Sequence, residues 1–396
     1  MLMTSAKVFE TNLEHLTKNQ YGYNHSIKFI HASDIHLGSH QYRNDYRAND
    51  FIFAFDEILS LAVIHRVDFL LLGGDVFTSL EMLPGKLTKI INLLTSFKKV
   101  TKNQISIIAI EGNHDIRKFS RGVRFKKRGQ SWLKLLARLG LIVLLDAELD
   151  GAPEEIFKSY NFQTRKGGKI QIKNAMIYGT GYLGENPEDE LLKIKKGIVK
   201  DDGYFHILLQ HFGIEGQMKR VPGVCYEKLI PLKDRVNYLA LGHYHLQFVL
   251  DDWIYNPGSS ESACTMDFSF NRGVFLVTIS KENKYIKKVK KIQLSNRTFL
   301  WESIYFQRQF RDKEKLYANI TQKLRKSLSS VSYFDLKPSN IQMPVLLLTL
   351  KGRRPFTKSK INEKELSKLL CENLPVVDVR IYQKFSNFLK TIDAFV

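Results

Sequence analysis

Cysteine is scarce in this sequence: Cys225, Cys264 and Cys371 are the only three in 396 residues, an odd number without close spacing. That argues against a disulfide framework and a thiolate zinc site, and the three read as ordinary buried thiols. Long apolar runs are missing too. Even the richest stretch, residues 51–63, carries Asp56 and Glu57, so nothing approaches the roughly 18 uninterrupted apolar residues a membrane-spanning helix needs. The first 26 residues lack the apolar core and cleavage site of a secretory signal. A soluble, cytoplasmic or otherwise intracellular protein with no membrane partner is expected. Internal repeats and low-complexity tracts are absent.

Acidic residues are in deficit, with 40 Asp and Glu against 60 Lys and Arg, a net charge of +20. The excess is unevenly spread. From Lys281 to the C-terminus there are 25 basic and 10 acidic residues, +15 of the total. Residues 116–145 hold nine basic side chains, among them Arg117, Lys118, Arg121 and Arg124, and no acidic one. Basic residues gathered in two places suggest a polyanion, because phosphate contacts release counterions and dominate nucleic-acid affinity. For either cluster alone, a solvated basic face explains the charge equally well.

Residues 27–32, 68–72 and 105–110 read as apolar strands, alternating with helical periodicity over 47–66 and 83–97. Further strands are expected at 175–178, 205–209, 238–241, 253–255 and 273–279. The early alternation implies a parallel α/β sheet, and the helix-poor stretch after Asn237 suggests antiparallel strands forming a second sheet. A Lys-rich alternation over 285–292 reads as a half-exposed strand closing the first domain. Beyond residues 295–297, the order strand, basic helix, strand, helix, strand describes a small α+β module of about 100 residues. The expected fold is a layered α/β two-sheet sandwich flanked by helices, with a smaller C-terminal α+β domain. Its divisions are an N-terminal extension (1–26), a main domain (27–296) and the C-terminal module (297–396).

Five short segments then carry the chemistry: Asp34-Ile-His36, Gly74-Asp75, Gly112-Asn-His-Asp115, His211 and Gly242-His-Tyr-His245. Asp-x-His arises often by chance, and Gly-Asp at a strand end is usually a turn, so neither decides anything alone. In an extended segment residues i and i+2 point the same way, so Asp34 with His36, and His243 with His245, each offer two donors to one side. Loops past the carboxyl ends of strands are where open α/β sheets build sites. Seven donors (Asp34, His36, Asp75, Asn113, His211, His243, His245) exceed the need of one four-coordinate ion. A carboxylate-bridged pair of divalent ions, with Asp75 bridging, uses them all. Manganese, iron and zinc are all compatible with these donors. His114 is left off the metals, free to give a proton to a leaving oxygen or to stabilise phosphate charge. Asp115 either orients it or caps the turn. The other six histidines, at 15, 25, 31, 40, 65 and 206, read as structural or surface residues, with His206 a satisfied core histidine.

Assembled in this order, the chain resembles the calcineurin-like metallophosphoesterases. Within them it is similar to archaeal-like members of the meiotic-recombination-eleven/SbcD family, the nuclease subunit of the double-strand-break repair complex. The carrying residues are His31-Ala-Ser-Asp34-Ile-His36-Leu-Gly38, Gly73-Gly-Asp75-Val-Phe77, Glu111-Gly-Asn-His-Asp115, Gln210-His211, Gly242-His-Tyr-His245 and Tyr255-Asn-Pro-Gly-Ser-Ser-Glu261. The resemblance runs from about Ile27 to the C-terminus. It implies a manganese-dependent nuclease that trims duplex ends 3′ to 5′ and cuts single strands, dimerises through the phosphoesterase domain and works with an SMC-like ABC ATPase. It also implies that the C-terminal module is the family's DNA-binding capping domain. By the same resemblance Asp34, His36, Asp75 and His245 would hold one ion, and Asp75, Asn113, His211 and His243 the other, with His114 catalytic. Many members carry His three residues after the bridging Asp, where this chain has Thr78. Residues 119–130 look like a basic insertion, and the family's helical ATPase-docking tail is expected to be missing, short or unrecognisable. Competing expectations are a phosphoesterase on nucleotides or phosphoproteins, and a DNA-binding scaffold with a vestigial metal site.

Overall fold

The structure, a computed structural model, describes residues 26–116, 119–120, 123–124, 130–185, 187–219, 221–307, 309–310, 312–329, 341–355 and 361–385. Two six-stranded sheets face each other. The first has the order β14-β13-β1-β2-β3-β6, built from β1 (Ile27–Ala32), β2 (Phe69–Leu72), β3 (Ser106–Ala109), β6 (Val143–Leu144), β13 (Gly273–Lys281) and β14 (Tyr285–Gln293). The second, β11-β12-β10-β9-β8-β7, uses β7 (Lys169–Ile172), β8 (Ala175–Gly179), β9 (Phe205–His211), β10 (Tyr238–Gly242), β11 (Phe248–Leu250) and β12 (Ile254–Asn256). A short antiparallel pair, β4 (Phe119–Ser120) with β5 (Val123–Arg124), lies within the basic stretch.

The apolar runs explain the layering. β1 to β3 pair in parallel and are buried on both faces, as strands covered on both sides must be. Alternation along β1 sends Ile30 and Ala32 into the layer of α1 (Asp45–Ile64), α2 (Pro84–Val100) and α3 (Trp132–Arg138), while Ile27 and Phe29 enter the seam between the sheets. Phe29 stacks on Phe69 at 4.9 Å and meets Tyr238 of the opposite sheet edge-on at 5.4 Å. A third apolar cluster, around Leu208, Leu239 and Trp253, covers the outer face of the second sheet. Helix α1 starts where the sequence supplies a cap: Asn44 accepts from the amides of Tyr46 and Arg47.

The stretch after Asn237 meets the antiparallel expectation in β11, β13 and β14 but not in β10 and β12. β8, β9, β10 and β12 are mutually parallel, and only the edge strands β7 and β11 run against them. The five-residue loop 243–247 steps over one strand position, so β12 returns between β10 and β11. β13 and β14 join the first sheet instead, antiparallel beside β1. The exposed lysines of β14 alternate with half-buried residues and mark a sheet edge. A second departure concerns the thiols. All three cysteines are free, but Cys264 is exposed and Cys225 and Cys371 are only half-buried, since each lies in a loop or on a helix flank rather than in a strand interior.

The C-terminal module is a parallel three-stranded sheet, β15 (Phe299–Phe306), β16 (Val345–Gly352) and β17 (Asp378–Phe385), with helices Lys313–Ser329 and Glu363–Asn373 sharing its core. It joins the sandwich through a buried ionic knot. Arg297 grips both oxygens of Asp50 on α1 at 2.7 and 2.8 Å, and Arg47 bonds Asp50 at 2.5 Å and Glu261 at 3.1 Å.

Candidate metal centre

The five sequence segments meet at one end of the sandwich, past the C-terminal ends of β1, β2, β3, β9 and β10. They are tied before any ligand is involved. Asp34 N donates to Gly74 O, His36 N to Asp75 O and Leu37 N to Val76 O, so the loops after β1 and β2 continue pairing where the strands have ended. The extended geometry expected for Asp-x-His is not what occurs. Asp34, His36, Asp75 and His243 all have positive φ, between 48° and 96°. Asp and His tolerate the left-handed region better than most residues, and such positions concentrate at functional sites held by their surroundings. The side chains converge because the backbone turns sharply, not because a strand alternates.

Glycines make room for that turn. A Cβ at Gly74, whose φ is +87°, would lie 2.5 Å from His211 Nδ1, and one at Gly112 would lie 2.3 Å from Asp75 Oδ1. The Asn-Pro-Gly-Ser-Ser-Glu segment, in sequence only a marker of kinship, is a strap over the same loops. Asn256 Nδ2 donates to the carbonyls of Tyr244 and Leu246, Ser259 N to His245 O and Ser260 N to Asp34 O, and Glu261 ends the strap on Arg47.

The seven donors form two overlapping groups. Asp34, His36 and His245 bring ligand atoms within 4.8 Å of one another, and so do Asp34, Asp75 and His211. His36 Nε2 faces His245 Nε2 at 3.0 Å. Asn113 Oδ1 lies 3.1 Å from His211 Nε2 and 3.2 Å from His243 Nδ1, while His211 Nε2 is 3.4 Å from Asp75 Oδ2. The imidazoles are held from behind, His211 donating from Nδ1 to Gly73 O and His245 from Nδ1 to Asp267, each at 2.7 Å. That fixes the ring orientation and turns Nε2 toward the cluster, the arrangement typical of metal-ligating histidine.

Electrostatics fit cations. Asp34 Oδ1 is fully buried without a hydrogen-bond partner, a costly state for a carboxylate oxygen. Burial pushes Asp34 up against the pull of His211 and His245. Burial likewise drives His36 down to about 3 and His243 down to about 4. Burial also opposes charge on His211, yet the Asp75 carboxylate raises it to about 9, and in return His211 keeps Asp75 well below the usual carboxylate range. The two carboxylates thus demand positive charge beside them, and the oxygen and imidazole donors suit divalent ions.

His114 sits at the rim with its side chain 26% exposed, its Nε2 4.0 Å from Asp75 Oδ2. Its ligand atom also lies within 4.8 Å of those of His36 and Asp75. Its Nδ1 donates to the carbonyl of Thr78 at 2.9 Å, and the Thr78 hydroxyl donates to His36 O. Asp115 does not orient His114. Its carboxylate accepts from the amides of Phe77, Val76 and Gly112, so it caps the turn. His206 is a satisfied core residue, paired with Tyr178 Oη and Asp201 O, and His31 likewise bonds Tyr238 and Leu241. Arg117, Lys118 and Arg121 lie outside the described residues. Arg124 falls in β5.

Asp267 escaped the sequence reading. It lies 22 residues after His245 in a polar stretch, and its only local trace is an acid three residues after the Cys264 that caps a short 3-10 helix. Tyr182 was missed as well; its ring centroid is 6.0 Å from that of His211 and 6.3 Å from that of His243.

A family model described as calcineurin-like phosphoesterase matches residues 27–247. The chain is also similar to curated proteins named DNA double-strand break repair protein Mre11. It is 29% identical to that of Archaeoglobus fulgidus over 59% of this chain and 50% of the relative. It is 25% identical to that of Methanosarcina acetivorans over 78% and 45%, and 25% identical to that of Methanocaldococcus jannaschii over 72% of each. The chain spans about half the length of the first two. Among the described residues no helix is long and apolar enough to cross a membrane.

Proposed function

This chain belongs to the calcineurin-like phosphoesterase family, and we propose that it is a metal-dependent nuclease that hydrolyses phosphodiester bonds of DNA in double-strand-break repair. The observation that carries this reading is the buried Asp34 Oδ1, partnerless amid six further oxygen and nitrogen donors on strand-end loops. Similarity to the Mre11 relatives supports DNA as substrate, as does the concentration of positive charge in the C-terminal part. Trimming of duplex ends 3′ to 5′ and cutting of single strands, a homodimer, and an SMC-like ABC ATPase partner belong to the same proposal. So does the division into 1–26, 27–296 and a DNA-binding module at 297–396.

In this reading Asp34, His36, Asp75 and His245 hold one divalent ion and Asp75, Asn113, His211 and His243 a second, manganese being the proposed metal. The bound ions supply Lewis-acid stabilisation of charge developing on the phosphate. The protein's own part is positional. Asp75 is fixed by the His114 amide at 2.7 Å, and Asp34 accepts from the His243 amide at 3.0 Å. His114, its Nδ1 tied to Thr78 O, presents Nε2 at the open rim, where it can hold a proton and pass it to the departing sugar oxygen. Thr78 does this through a backbone carbonyl that any residue at that position can offer.

The test is degradation of end-labelled duplex and of circular single-stranded DNA by protein stripped with chelator and reloaded with manganese. Manganese-dependent cleavage is expected, and His114→Ala should lower the rate by about 100-fold or more while metal content is unchanged. Full activity in His114→Ala removes the catalytic assignment, and turnover of nucleotides without DNA cleavage or binding removes the nuclease.

A further inference from the structure

The open face of the C-terminal sheet carries a feature that the metal centre does not use. Both helices of the module share the core of one face, with Ile304, Phe306, Leu346, Leu348, Leu350 and Ile381. Alternation then sends the intervening residues to the other face. One end of that face packs on the sandwich, where Val345, Leu347 and Val377 meet Tyr42, Phe268 and Phe299. The other end is open: Tyr305 is 65% exposed with Lys351 and Lys384 exposed beside it, and Trp301, 47% exposed, lies at the border between the two.

The register pairs the more exposed aromatic with cations. Tyr305 lies opposite Lys351, which lies opposite Lys384, whereas Trp301 lies opposite Leu347 in the packed row, where the Arg380 guanidinium sits 4.5 Å over the Tyr42 ring. Of the acidic residues on these strands, Glu302 points to the helix side and bonds Ser327, while Asp378 lies at the packed end on Asn44 and interacts with Arg380. Packing between the two parts accounts for Trp301, which stacks on Tyr382 and touches Phe268 at 5.3 Å. It does not account for Tyr305.

We propose that this open face, Tyr305 with Lys351 and Lys384 and the bordering ring of Trp301, is a stacking platform for single-stranded DNA, an inference that rests on the nuclease reading above. Exposed aromatic rings accept unpaired bases regardless of sequence, and interleaved cations track the backbone, the combination that proteins use for single strands. A duplex keeps its bases stacked and offers the rings nothing. The platform adjoins the metal centre: Phe268, in contact with Trp301, is the neighbour of Asp267, which holds His245.

The experiment measures binding of labelled oligothymidine and of a blunt duplex by fluorescence anisotropy, with chelator present to prevent cleavage. Wild type, Tyr305→Ala, Tyr305→Phe and Lys351→Gln/Lys384→Gln are compared. Tyr305→Ala should weaken oligothymidine binding roughly tenfold and leave duplex binding unchanged, and Tyr305→Phe should bind as wild type. The lysine double variant should flatten the salt dependence for oligothymidine, in a log-log plot, by about 1.4. Unchanged oligothymidine binding by Tyr305→Ala, or equal loss for duplex, overturns the platform. Hydrolysis of bis-p-nitrophenyl phosphate by manganese-loaded protein separates the two readings. A wild type that hydrolyses this diester but neither binds nor cuts DNA overturns the nuclease, whereas DNA cleavage with unaltered binding by Tyr305→Ala overturns the platform alone.

Discussion

Asp267 Oδ2 lies 2.7 Å from His245 Nδ1, joining a histidine of the donor cluster to a carboxylate on a separate short 3-10 helix. The same carboxylate accepts from the amides of Ala263 and Cys264 and from the Cys264 thiol. It is therefore oriented before it orients His245. Asp267→Asn keeps the shape but loses the charge that makes the imidazole a strong donor. Manganese affinity at one of two sites should fall about 10- to 100-fold, measured by calorimetric titration of the stripped protein, and two unchanged affinities would refute the role.

Gly74 brings the backbone hard against the cluster. Its φ of +87° and the 2.5 Å separation of a Cβ from His211 Nδ1 leave no room for a methyl group. Gly74→Ala should destabilise by about 1–3 kcal/mol through backbone strain and displace His211. A lower melting temperature and loss of one equivalent of bound metal are expected, read by calorimetry and elemental analysis.

The knot of Arg47, Asp50, Arg297 and Glu261 is fully buried. Asp50→Ala leaves both guanidiniums without the acid between them, and breaking a buried pair from one side costs about 3–5 kcal/mol. Urea unfolding should show that loss, whereas Lys158→Ala, which removes an exposed pair with Glu148, should change little.

His31 is buried against Tyr238 and Leu241, and burial drives its pKa down to about 3, although its bond to Leu241 O opposes the shift. The unfolded chain takes up a proton near the ordinary value of 6.5 that the folded one refuses. Stability from this residue is complete above pH 6.5 and declines as pH falls toward 3, by about 1.4 kcal/mol per pH unit. His31→Leu should flatten the decline of stability with acid between pH 6 and 4, followed by urea midpoints across that range; an identical slope in both proteins would contradict it.

Much of the sandwich was legible. β2 is an unbroken Phe-Leu-Leu-Leu run and α1 carries apolar residues at helical spacing behind the cap Asn44, so local pattern and tertiary environment agree. The donor segments were legible because each puts its residues within four positions of one another. The reason they converge was not: four of the seven sit at positive φ, and nothing in Asp-Ile-His distinguishes a left-handed turn from an extended pair. The strand order after Asn237 was equally hidden, since insertion of β12 between β10 and β11 depends on where a five-residue loop lands.

Residue order alone therefore determined most of the elements, the seven side chains proposed as donors and the kinship those motifs carry, because helix and strand periodicity and motif spacing are short-range properties of the chain. Tertiary structure alone decided which distant groups meet. Asp267 behind His245, Asn256 over the Tyr244 and Leu246 carbonyls, Arg297 on Asp50 and Tyr305 beside Lys351 are pairs separated by 10 to 247 positions. Their contact follows from how two sheets pack and how loops cross, which no local pattern encodes.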